Sequence, residues 1–152
     1  MFNVGKKKER AFTLIEILVV IGLIAILAAI VLIAINPARQ FAQARNSQRE
    51  SNINTLLNAI GQNTVDNKGL FKCGTITIGV STSTIGTSGA DLASCLVPTY
   101  IPASLPMDPS TGTLADTGYT VSFSSSLGRY LVCSEGYKES ALGISSAYCL
   151  SR

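Results

Sequence analysis

Residues 6–20 read KKKERAFTLIEILVV: a basic cluster, then the opening of the longest apolar run in the chain, with one carboxylate, Glu16, a few residues inside it. From residue 12 to residue 35 only Thr13, Glu16 and Gly22 interrupt the run. As a helix rising ~1.5 Å per residue it reaches roughly 36 Å, enough to cross a bilayer core of about 30 Å. A cleavable secretory signal has a shorter apolar core, ~7–15 residues, closed by a small-residue site. No such site closes this run, so the segment is expected to stay with the protein. Lys6, Lys7, Lys8 and Arg10 just before it predict a cytoplasmic N-terminus and an exported remainder.

The same cluster explains the overall charge. The chain of 152 residues carries 12 basic and 9 acidic side chains, a formal +3, and the four basic residues against Glu9 supply all of it. The rest of the chain is electrically balanced. It has no basic stripe with interleaved aromatics of the sort that neutralises phosphates and stacks bases, so direct nucleic-acid binding is not expected. The length suits one small folded unit plus extensions.

Beyond the apolar run, Asn36-Pro37 predicts a break, because the residue before a proline is pushed out of the helical region. Helical spacing then resumes. Phe41, Ala44, Ile53, Leu56, Leu57 and Ile60 form one expected stripe, with Arg39, Arg45, Asn46, Arg49, Glu50 and Asn54 on the solvent side. Gly61 and Asp66-Asn67-Lys68-Gly69 supply stop and turn signals. After Gly69 the composition shifts to Thr, Ser, Gly and β-branched residues. Alternation predicts strands at Thr75-Ile76-Thr77-Ile78 and Tyr119-Thr120-Val121-Ser122-Phe123, and two more at residues 129–135 and 145–151, joined as an antiparallel meander. A short helix is expected at residues 91–97, a proline-punctuated loop at 98–112 and an exposed loop at 81–88. The expected fold class is α+β: a long N-terminal helix, transmembrane in its first half and amphipathic in its second, on a small antiparallel sheet. The expected segments are residues 1–11, a basic leader; 12–35, the apolar helix; 36–66, its amphipathic continuation; and 67–152, a β domain.

The basic leader, small Ala11, Phe12-Thr13-Leu14-Ile15-Glu16 and the long apolar helix resemble the N-terminus of the type IV pilins and the pseudopilins of type II secretion. The family's usual residue before the cut is glycine; this chain has alanine, also small. The resemblance implies that a prepilin peptidase cuts between Ala11 and Phe12, that the new amine of Phe12 is N-methylated, and that the helices bundle into a filament core with Glu16 directing assembly. It further implies a membrane pool before assembly, in the inner or cytoplasmic membrane, and an extracellular filament on the cell surface after it. Its expected partners are further copies in a helical filament, the prepilin peptidase, an assembly platform and minor pilins. Residues 101–109, Ile-Pro-Ala-Ser-Leu-Pro-Met-Asp-Pro, are similar to the loop before the meander in major pseudopilins, which can hold calcium. Asp108 and Asp116 are of the hard-oxygen type calcium takes. The simpler reading makes them turn residues that hold nearby backbone groups, and no metal or other cofactor is expected.

Cys73, Cys95, Cys133 and Cys149 all lie in the exported part, and an even count there fits a disulfide framework. Of the three connectivities, Cys73 with Cys95 and Cys133 with Cys149 is preferred because both are local in sequence. A four-thiolate zinc site is the alternative, but the paired C-x-x-C spacing is absent. Catalysis has little to use: the chain contains no histidine, its acids are scattered, and no G-x-x-x-x-G-K-[ST] loop occurs. A non-enzymatic filament subunit is the reading adopted, with a major pseudopilin of a secretion or DNA-uptake system as the alternative. A signal-anchored domain that never polymerises would leave Glu16 unexplained except as a shallow, snorkelling residue.

Overall fold

A computed structural model describes residues 12–152. Helix α1 spans Leu14–Ala34 and helix α2 spans Pro37–Asp66. The break falls at the Asn36-Pro37 pair, and Pro37 opens α2 at the helical position where its missing N–H costs nothing. The chain divides into two compact units, one up to Pro37 and the other Ala38–Arg152. The first contains α1, 21 residues long and apolar enough to cross a membrane, none of them buried.

The second unit is a helix-on-sheet body. Strands β1 (Ser83–Thr84), β2 (Tyr119–Ser124), β3 (Arg129–Ser134) and β4 (Tyr148–Ser151) form one antiparallel sheet in that spatial order. A short helix, α3, covers Ala93–Leu96, and two 3-10 turns, Glu135–Tyr137 and Ser140–Leu142, lie between β3 and β4. The β2–β3 register places Tyr119 opposite Ser134 and Val121 opposite Val132. Period-two alternation therefore aims Tyr119, Val121 and Val132 into a single core with Ile53, Leu56, Leu57 and Ile60 of α2 and with Ile85, Leu92 and Leu96. This meander and the short helix lie where the alternation and turn residues place them.

Two local expectations fail, each for a physical reason. The alternation at Thr75-Ile76-Thr77-Ile78 does not make a strand. Gly74, at φ 58°, turns the chain so that Ile76 N–H donates back to the Cys73 carbonyl, and the two isoleucines pack singly against the core. The edge strand is instead Ser83–Thr84, inside the stretch read as an exposed loop, and Ile85 beside it is fully buried. Helix α2 ends at Asp66, where the expected continuation ends, and closes through the bond from Gly69 N–H to the Thr64 carbonyl.

The largest correction concerns the face of α2. Its buried residues include Ala42, Asn46, Arg49, Ile53, Leu56, Ile60 and Asn63, a four-three alternation that keeps one seam against a partner. Phe41 and Ala44 are exposed, while Asn46 and Arg49, assigned to solvent from the sequence, face inward.

Candidate assembly segment and the buried ion cluster

Thr13 begins α1. Its Oγ1 accepts the Glu16 N–H at 3.3 Å, and its carbonyl accepts the N–H groups of Glu16 and Ile17. Thr13-Leu14-Ile15-Glu16 thus has the threonine and acid spacing of a capping box, with the acid in the first turn, where the positive end of the helix dipole favours it. Glu16 makes no ion pair among the described residues. Phe12 is exposed just ahead of the cap. Ala11, and with it the expected cleavage junction, lies outside the described residues.

In the body, the polar residues of the inner seam each hold a loop that apolar packing alone would leave loose. Asn46 Nδ2 donates to the Tyr137 carbonyl, Asn52 Nδ2 to the Met107 carbonyl and to Tyr119 Oη, and Asn63 brackets the main chain of Lys72 with two bonds. Arg49 stands at the centre. Its Nε reaches Asp108 Oδ2 at 2.6 Å and its Nη2 reaches Oδ1 at 3.2 Å, while Nη1 reaches Glu139 Oε1 at 2.6 Å. Nη2 also donates to Ser110 Oγ and Nη1 to Asn46 Oδ1. Glu139 is further gripped by Arg45 through two bonds of 2.7 Å.

Two arginines against two carboxylates make the cluster neutral, which is what burial demands. Burial pushes the Asp108 carboxyl upward in pKa. The bonds from Arg49 and from the N–H groups of Ser110 and Thr111 outweigh it and hold Asp108 below the ordinary carboxylate range. Bonds from Arg45 and then Arg49 lower Glu139 to about 2. Burial also works against the Arg49 charge, but its bonds to Asp108 and Glu139 prevail and raise its pKa.

Three glycines leave room for this cluster. A side-chain carbon on Gly136 would lie 2.5 Å from Asp108 Oδ2, one on Gly118 2.6 Å from Asp108 Cβ, and one on Gly112 2.5 Å from the Asp108 nitrogen. Within this cradle the Asp108 carboxylate is paired with the Arg49 guanidinium. Asp116 Oδ1 accepts the Gly118 N–H as a turn residue, and no group of three or more metal-ligating side chains occurs among the described residues.

Cys73 is joined to Cys95 and Cys133 to Cys149, with S–S distances of 2.03 and 2.06 Å. The second bridge links directly opposed residues of β3 and β4. The first ties the chain leaving α2 to α3.

Sequence reasoning missed Arg49 and Asp108 as partners. The signal available was the seam itself: stepping back from Ile60, Leu56 and Ile53 by alternating fours and threes lands on Arg49, Asn46 and Ala42. A charge that falls in register with a core stripe calls for an opposite charge elsewhere in the chain.

A bare apolar helix with a capped, carboxylate-bearing first turn, followed by a disulfide-stapled helix-on-sheet body, is a pilin-like α+β arrangement. Residues 6–32 match the family described as the prokaryotic N-terminal methylation motif, the class III signal of type IV pilins and pseudopilins. That motif is of a structural type and not an enzymatic one, and with the apolar helix it fits a membrane-anchored, pilin-like protein. No curated protein and no solved structure matches the chain.

Proposed function

We propose that this chain is a structural subunit of a type IV pilus-like extracellular filament, drawn from a membrane pool after cleavage between Ala11 and Phe12. The supporting observation is Glu16: a carboxylate in the first turn of a fully exposed apolar helix, with no ion pair among the described residues. By analogy with a central Asp, such a group costs roughly 2.5–3.5 kcal/mol deep in a membrane span. Cleavage before Phe12 creates an α-amino group four residues away, with an ordinary pKa of ~7.7–8.0, and N-methylation leaves it able to carry charge. The amine of a neighbouring helix, shifted along the axis, turns the cost into a directional attraction that sets helix stagger as subunits leave the membrane.

The test is to compare wild type with Glu16→Ala and Glu16→Gln in cells. Both variants are expected to insert, to form both disulfides and to incorporate poorly into sheared surface filaments, whose wild-type subunits begin at Phe12 by N-terminal sequencing. Wild-type filament yield from both variants refutes the pairing role, and filaments whose subunits still begin at Met1 refute the processing.

A further inference from the structure

The β2–β3 turn carries a leucine that its own copy does not use. Residues 124–128 read SSSLG, and Leu127 stands 65 % exposed between serines and Gly128, whose φ is 62°. A hairpin tip needs residues that adopt turn geometry and tolerate water, which the serines and glycine supply. The leucine adds nothing to that. Exposed Arg129 follows immediately.

Near the start of β2 lies a cavity of about 180 Å³, with Val97, Leu105 and Met107 in its walls, Leu114 and Asp91 among its lining, and Thr117 two residues before the strand. Leu114 is itself 72 % exposed. The six residues of β2, at ~3.3 Å each, set the tip and the cavity about 20 Å apart at opposite ends of the strand. The tip therefore cannot fill the cavity of its own copy.

We propose that the Leu127–Arg129 tip of one copy docks into this cavity of a second copy, the leucine among the apolar walls and Arg129 toward Asp91. The match is in both apolar character and charge: a leucine beside a cation on one side, an apolar hollow with a carboxylate on the other. The contact is heterologous, so each docking leaves a free tip at one end and a free cavity at the other, the condition for an open chain rather than a closed dimer. One side chain in one hollow falls far below the roughly 1,200 Å² total of a stable interface. The contact therefore sets the register of bodies that the apolar helices have already brought together. In that respect the inference rests on the filament reading.

The experiment uses the full chain in cells, with a photo-reactive amino acid at position 127. Irradiation is expected to give paired copies, with the second copy labelled within residues 91–117. Filament labelling elsewhere in the second copy, or no pairing, overturns the proposal. Arg129→Glu and Asp91→Arg are each expected to lower filament yield about tenfold by like-charge contact, and combining them is expected to restore most of it. Asp91 Oδ1 also caps the Ala93 N–H, so a double variant no better than Asp91→Arg shows mere fold damage and overturns the docking. If wild type builds no filament, the filament reading fails, while labelling between copies in the membrane still decides the contact.

Discussion

Arg49 and Asp108 meet through two hydrogen bonds, 2.6 and 3.2 Å, with side chains 2 % and 0 % exposed, although 59 residues separate them in the chain. The pair joins α2 to the loop that leads into the meander, and Glu139 extends it to the turns that lead into β4.

Removing one partner leaves the other charged in a space closed to water. Arg49→Met is expected to destabilise the body by about 3–5 kcal/mol, the usual range for a broken buried pair. Arg49→Met combined with Asp108→Leu should recover part of that loss, because no charge is then stranded. Urea unfolding of the detergent-solubilised chain, followed by tyrosine circular dichroism, checks both. Equal losses in the single and double variants would show that packing rather than charge dominates.

The pH dependence has a definite sign. Asp108 and Glu139 have folded-state pKa values below their unfolded ones, Glu139 at about 2. Their contribution is complete above the unfolded carboxylate range of ~4 and is lost as pH falls toward the folded values. Without histidine in the chain, stability is expected to be flat between about pH 5 and 8 and to decline below about 4. Glu139→Gln should be less stable at neutral pH and show a shallower acid limb in the same unfolding assay.

The glycines separate by position. Gly136→Ala places a methyl against Asp108 Oδ2 and beside the Arg49 guanidinium, and is expected to cost about 1–3 kcal/mol as overpacking. Gly61 lies within α2 with nothing near its missing side chain. Gly61→Ala is expected to stabilise the chain by about 0.4–1 kcal/mol through the unfolded state. Melting temperatures moving in opposite directions confirm the assignment; a neutral Gly136→Ala contradicts the enclosed cluster.

The two disulfides should differ in reactivity. Cys73 is 2 % exposed in the core, whereas Cys149 lies on the surface of the last strand. Since exposed bridges exchange faster, mild reductant with mass mapping of alkylated peptides is expected to open Cys133–Cys149 first. Loss of the β4 pairing should precede loss of α2, as read by hydrogen exchange. Prior release of Cys73 would contradict this order.

The sequence alone determined the features whose signals are local: the apolar run, its carboxylate, the break at Asn36-Pro37 and the alternating strands of the meander. Each depends on neighbouring residues, because hydrophobic period and proline geometry act over one or two turns of chain. It did not determine which face of α2 turns inward. Arg49 looks like a solvated charge until Asp108 arrives from 59 residues away, and Gly112, Gly118 and Gly136 look like ordinary loop residues until their backbones close around that carboxylate. The strand at Ser83–Thr84 was hidden for the same reason, since two polar residues become a strand only through pairing with Val121 and Thr120. Tertiary structure made these choices because a buried charge is tolerable only beside its counter-charge, and that proximity is a property of the folded chain.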